Sequence, residues 1–136
     1  MPGLLLIAHA PLASAFKAVA EHTFPNCAQQ LAVLDVAPDM GAEDVERAAR
    51  QLMDRLGHEE WLVMTDVPGA TPHNGALRLA GAGRRVRVVS GLNVPMLWRS
   101  LCYGQLGVDE LALRAVEGGH KCIETLDLQE STRPQQ

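Results

Sequence analysis

Gly3-Leu4-Leu5-Leu6-Ile7-Ala8-His9-Ala10-Pro11 is the stretch on which the reading of the whole chain turns. Leu4 to Ile7 is a short, unbroken apolar run, as in a strand buried on both faces in the middle of a parallel sheet. The run stops at Ala8, and His9 follows at the carboxyl end of the strand. Pro11 suits the first turn of a helix, where a missing N–H has no partner in any case. His9 therefore stands at the rim where open α/β sheets bind ligands. The helix N-terminus beside it offers free N–H groups and a positive dipole end to an anion. Two readings stand side by side: a histidine that carries or handles a phosphoryl group, and a histidine satisfied by local backbone at a strand end.

Outward from this strand the chain alternates. Pro11 to about His22 is predicted helical, with Leu12, Ala15, Phe16, Val19 and Ala20 at helical spacing. Thr23 to Cys27 holds Pro25 and Asn26 and is expected to be a loop. Gln30 to Val36 is a second strand, and Asp35 either contacts the rim loops or simply ends it. Ala42 to Leu56 is an amphipathic helix with Val45, Ala48, Ala49, Leu52, Met53 and Leu56 as its stripe, acidic residues first, and Gly57 just past its end. Glu60 to Thr65 is a third buried strand that runs into Asp66. Thr71 as N-cap and Pro72 as first helical residue open a helix to about Ala82. Val86 to Ser90 is a fourth strand. Helices follow over 95–103 and 108–117. Gly118-Gly119 is expected to break the last of them, and His120 to Leu126 alternates as an edge-type strand.

This β-α-β-α-β-α-β-α-α-β order predicts a three-layer α/β fold, a mainly parallel sheet with helices on both faces. With the first strand central, the strand order is 2-1-3-4. Residues 1–128 form one domain, and 129–136 are expected to be a flexible polar tail. The 136 residues are 47% hydrophobic and 21% charged, with a formal net charge of −4 and no basic block. That argues against a nucleic-acid surface. Cys27, Cys102 and Cys122 have no CxxC spacing and an odd count, which fits reduced thiols in a cytoplasmic protein. The apolar run near the start is too short for a signal peptide or a membrane span, so any membrane association is expected to be indirect. No two histidines or cysteines lie at ligand spacing, so no metal or other cofactor is expected. His22, His58 and His120 are expected in solvent, and His73 is read as a bystander near the site. Trp98 is expected in the core or at a dimer interface.

The order 2-1-3-4 sets strands one and three side by side, with His9 and Asp66 facing each other across the crevice. A carboxylate that accepts the N–H of one imidazole nitrogen fixes the tautomer, leaves the other nitrogen as a nucleophile and stabilises the charge that grows on the ring. Thr71 can hydrogen-bond an incoming phosphoryl oxygen, and Gly69 and Ala70 leave room for it. Asn93 and Pro95 shape a loop beside the site, with direct contact to substrate the minor reading. No P-loop lysine is present, so the phosphoryl donor is expected to be a phosphorylated protein or small molecule rather than a nucleoside triphosphate.

These residues carry a resemblance. Ile7-Ala8-His9-Ala10 stands where the mannose-family enzyme IIA domain of the bacterial phosphoenolpyruvate:sugar phosphotransferase system has its strand-end Thr-His-Gly. Asp66-Val67-Pro68-Gly69-Ala70-Thr71-Pro72-His73-Asn74 is similar to that family's DxxGGSPxN loop. Gly91-Leu92-Asn93-Val94-Pro95-Met96-Leu97 resembles its GxNxPML loop, the most specific of the three matches. The motifs lie in the right order over residues 1 to 126.

The resemblance implies that His9 is phosphorylated by the phosphocarrier protein HPr and hands the group to a IIB domain. It implies that Asp66 orients the ring and that Thr71 replaces a serine near the phosphate. It also implies a homodimer in which the final strand, His120 to Leu126, joins the partner's sheet edge. The chain departs from the pattern at Ala8, Ala10 and Ala70. No linker or IIB domain follows Leu126, so the expectation is a stand-alone copy. The alternatives are a regulatory module whose partner contacts depend on His9 phosphorylation and the related dihydroxyacetone-kinase phosphotransfer subunit. An acid–base enzyme acting on a small molecule through His9 and Asp66 is the weakest.

Overall fold

The computed structural model describes residues 1–81 and 83–129. Four strands form one sheet in the order β2-β1-β3-β4: β1 Gly3–His9, β2 Leu31–Val36, β3 Glu60–Thr65 and β4 Arg85–Val89. All three pairings are parallel, with Leu4 opposite Leu31, Gly3 opposite Trp61, and Glu60 opposite Arg85. The helices are α1 Leu12–Thr23, α2 Pro25–Ala28, α3 Ala42–Leu56, α4 Thr71–Ala76, α5 Val94–Cys102 and α6 Val108–Lys121, with a 3-10 turn over Leu77–Leu79 after α4.

β1 is central because both its faces are apolar. Leu4, Leu6 and Ala8 share a core with Ala13 and Ala20 of α1, Leu97 of α5 and Leu111 of α6. Leu5 and Ile7 face the other way, into a core with Val45, Ala49 and Met53 of α3, and Ala76 of α4. The uninterrupted apolar run thus serves two helical layers, as period-two side-chain geometry requires. Two glycines permit close contacts. A Cβ on Gly75 of α4 would lie 2.4 Å from Val45 Cγ1, and one on Gly3 would lie 2.6 Å from the Trp61 ring. α3 covers the expected span and ends at Gly57 with φ +77°, a left-handed backbone that favours glycine.

Several boundaries differ from the sequence-based expectation. Pro11 is the N-cap of α1 rather than a residue inside its first turn. The expected loop at Pro25 contains the one-turn helix α2, with proline in its favoured first position. Ala70 is the N-cap of α4, which moves Thr71 and Pro72 one position into the helix. The helix expected to reach Ala82 closes at Ala76 and tightens into the 3-10 turn.

The largest correction is at the C-terminus. Gly118 and Gly119 do not break α6, which runs to Lys121. They are contact points: a Cβ on Gly118 would sit 2.8 Å from Arg99 Cβ, and one on Gly119 would sit 3.1 Å from Met96 Cβ. Small residues there let α5 and α6 pack closely, and that packing outweighs glycine's poor helix propensity. His120 and Lys121 are therefore helical, and the expected strand does not form in the single chain: 122–126 have no strand pairing and are exposed. Of the polar tail, 130–136 lie outside the described residues.

Candidate functional site at the carboxyl rim of the sheet

The parallel register between β1 and β3 puts Ile7 opposite Thr65. His9, two residues beyond Ile7, and Asp66, one beyond Thr65, therefore emerge together at the rim. Asp66 Oδ2 accepts the His9 backbone N–H at 3.0 Å and lies 2.8 Å from His9 Nδ1. Asp66 Oδ1 accepts the Val67 N–H at 2.8 Å. The two side chains differ sharply in exposure, 54% for His9 and 9% for Asp66. Desolvation pushes the Asp66 carboxyl upward, but the hydrogen bonds from the His9 N–H, the His9 ring and the Val67 N–H together outweigh it and hold the group below its ordinary value.

An ionised carboxylate only accepts hydrogen bonds. The proton between the two groups therefore belongs on Nδ1, and the lone pair of the neutral ring is on Nε2, an assignment made from the hydrogen-bond pattern. The His9 side chain is open to solvent. A hollow of about 220 Å³ lined by Gly3, Cys27 and His58 lies at the opposite, amino-terminal end of the strands.

The loop after Asp66 is turned by Gly69, whose φ of +85° strains any other residue. Asn74 Nδ2 donates to the Gly69 carbonyl at 3.0 Å, and the Asn74 N–H donates to the Ala70 carbonyl at 2.9 Å. Gly69 is exposed, while Ala70 and Thr71 are half-buried. The Gly91–Pro95 loop is tied to the same strand end, because the Gly91 N–H donates to the Asp66 carbonyl at 3.0 Å and the Leu92 N–H to the Thr65 carbonyl at 2.9 Å.

Asn93 has two internal duties. Its Oδ1 caps α5 by accepting the Met96 N–H at 2.9 Å, and its Nδ2 donates to the Gly119 carbonyl of α6 at 3.3 Å. Pro95, in the first turn of α5, lines a groove with Phe24, Trp98 and Tyr103. Trp98 meets the Phe24 ring edge-on at 6.2 Å between centroids.

His73 is not in open solvent: its Nδ1 lies 2.9 Å from Oγ1 of the buried Thr65. His58 is half-buried, edge-on to Trp61 at 5.1 Å between centroids. Asp35 does contact the rim, through Ser14 of α1. Sequence reasoning did not single out Ser14. The usable signal was a helix that opens after proline with no capping residue of its own, and so needs a cap from elsewhere. Among the described residues, no group of three or more His, Cys, Asp or Glu side chains is arranged to hold a metal ion, and no helix is long and apolar enough to cross a membrane.

A half-exposed imidazole held by a carboxylate thus lies at the switch point of a parallel sheet, and comparison with known proteins gives the class of protein that carries it. Residues 3–113 match the family described as PTS system fructose IIA component, EIIA-man, and the chain belongs to that family of phosphotransferase-system IIA components. Among solved structures, the mannose/sorbose specific IIA subunit of the phosphotransferase system from Enterococcus faecalis is similar at 27% identity and TM-score 0.85, over 93% of this chain and 96% of that one. Phosphotransferase system component EIIA from Streptococcus agalactiae shares the fold at 23% identity and TM-score 0.82, over 92% of this chain and 97% of that one. No curated protein matches the chain in sequence.

Proposed function

We propose that His9 is the phosphoryl acceptor of a phosphotransferase-system relay, taking the group on Nε2 from phospho-HPr and passing it to a IIB domain or holding it as a signal. The observation that carries this reading is the 2.8 Å contact between His9 Nδ1 and Asp66 Oδ2 on a ring whose other edge is exposed. The Nε2 lone pair forms the new N–P bond. The bond from phosphorus to the donor breaks, and its electron pair stays with the donor. The proton remains on Nδ1, so the ring becomes cationic as the bond forms, and the adjacent carboxylate stabilises that charge. Thr71, Gly69 and Ala70 are assigned to the transferred phosphoryl group, with Thr71 as hydrogen-bond donor. The open setting of His9 suits a protein donor, which covers the site only during the encounter. Partnership with HPr, a part of this proposal, implies a cytoplasmic protein.

The test is incubation of the purified chain with phosphoenolpyruvate, enzyme I and HPr, followed by nitrogen and phosphorus NMR. A phosphoryl group on Nε2 of His9 is expected. Absence of phosphorylation, or attachment at Nδ1, removes the proposal. Adding a IIB domain then separates transfer, in which the signal leaves this chain, from a signalling role, in which it stays.

A homodimer belongs to the same reading. β4 is an open sheet edge, and such an edge invites pairing with another chain. Ile123, Leu126 and Leu128 are 74%, 54% and 89% exposed, more apolar surface than a free tail accounts for. The open β4 edge and these exposed apolar side chains are the basis on which 122–128 of one copy are assigned to the β4 edge of a second, antiparallel; Arg85 and Arg87 of that edge pair with Asp109 within the chain. Sedimentation is expected to give a dimer for the full chain and a monomer when 122–136 are deleted. A monomeric full chain rules the assignment out.

A further inference from the structure

The geometry points to Asp35 as a positioning residue for the His9 ring, acting through the first turn of α1. α1 has no cap of its own. Its N-cap is Pro11, no side-chain capping bond is made from that position, and no acidic residue lies in the first turn. Free N–H groups at such an end need an acceptor. The acceptor comes from another strand. Asp35, paired with Ala8 in the β1–β2 register, accepts the Ser14 N–H on Oδ1 at 3.0 Å. Its Oδ2 accepts the Ser14 hydroxyl. The neighbouring Val36 carbonyl accepts the Ala10 N–H at 3.0 Å.

The turn Ala10-Pro11 is therefore held on both sides. Toward the strand it is fixed by Asp66 on the His9 N–H and by Val36 on the Ala10 N–H. Toward the helix it is fixed by Asp35 on Ser14. Asp66 sets the ring of His9, and Asp35 sets the backbone from which that ring projects. A contact as short as 2.8 Å between Nδ1 and Oδ2 does not tolerate drift of its backbone, and small misplacements in reacting geometry are costly in rate. A capping role in folding alone is the simpler possibility, and the two make different predictions.

The transfer arm of the test rests on the phosphocarrier reading; the NMR arm does not. With phospho-HPr as donor, Asp35→Ala is expected to lower kcat for His9 phosphorylation about tenfold with KM unchanged, the scale of losing a supporting hydrogen-bond partner. Asp35→Asn, which keeps an acceptor for the Ser14 N–H, is expected to recover most of that loss. In the unphosphorylated protein, the Nδ1–H resonance of His9 is expected to shift or broaden in Asp35→Ala and to return in Asp35→Asn. Wild-type kcat together with an unmoved His9 resonance in Asp35→Ala overturns the inference, and so does a lower Tm with both readouts unmoved. Should Asp35→Ala fail to fold, Ser14→Ala, which loses the hydroxyl bond but keeps the N–H bond, is judged by the same two readouts. If wild type takes no phosphoryl group from HPr, the phosphocarrier reading falls, and the resonance still decides the role of Asp35.

Discussion

A His9→Gln chain is expected to fold normally and to take up no phosphoryl group. The His9 side chain is 54% exposed and packs into neither core, so its loss leaves the sheet intact. The backbone N–H of residue 9 still donates to Asp66, and glutamine can place an amide near the carboxylate. What glutamine lacks is a nucleophilic lone pair, because its nitrogen electrons are delocalised into the carbonyl. Removing a nucleophile outright costs on the order of 10⁶-fold in rate, so labelling should fall to background. The measurement is transfer of labelled phosphate from phosphoenolpyruvate through enzyme I and HPr, with circular dichroism to check the fold. Persistent labelling of the variant would place the acceptor elsewhere, with His73 the first residue to test.

Asp66→Ala is expected to be the second largest effect, with phosphorylation slowed about ten- to a hundredfold and the fold retained. The ring loses the group that keeps its proton on Nδ1, and the positive charge of the phosphorylated ring loses its counter-ion. The His9 and Val67 N–H groups also lose their acceptor, at about 1 kcal/mol each or less where water replaces it. Unchanged labelling kinetics would remove Asp66 from the mechanism.

The same substitution has a pH signature. The Asp66 carboxyl sits below its ordinary value of 3.8 in the folded chain, because three hydrogen bonds outweigh its desolvation. A depressed folded value means that the contribution is complete above the unfolded value and is lost as pH falls through the folded one. The Tm gap between wild type and Asp66→Ala should therefore be present at about pH 5 and close as pH falls below 3.8. A gap that persists in strong acid would mean that the carboxylate charge is not its source.

The parts of the molecule that were legible in the sequence are those whose causes are local. Leu4 to Ile7, Glu60 to Thr65 and the stripe of α3 announce themselves by apolar periodicity, and Gly57 by the backbone it must adopt. His9 and Asp66 were legible as a pair because strand alternation implies strand order, and strand order brings their ends together. The misreadings share a different cause. Gly118-Gly119 reads as a break when propensity is judged along the chain, yet the pair lies against Met96 and Arg99, and close helix packing reverses its meaning. His120 to Leu126 alternates like a strand, but its first two residues are taken up by α6. The remainder has no sheet to join in one chain, and a strand needs a partner for its backbone groups. Asn93 is not among them: it reads as shaping a loop beside the site, and its amide caps α5 and ties it to α6.

By itself the sequence determined the four strands of the sheet, though not the absence of a fifth among the described residues, that the four run parallel, that β1 lies at the centre, and that a histidine and a carboxylate end up at one rim. Each of these follows from the spacing of apolar and turn residues, which acts within a few residues of itself. Only the tertiary structure decided that Nδ1 rather than Nε2 is held, that α1 receives its cap from Asp35, and that two glycines continue a helix. Those outcomes depend on distances of a few ångströms between residues far apart in the chain. Register and packing set such distances, and no local pattern encodes them.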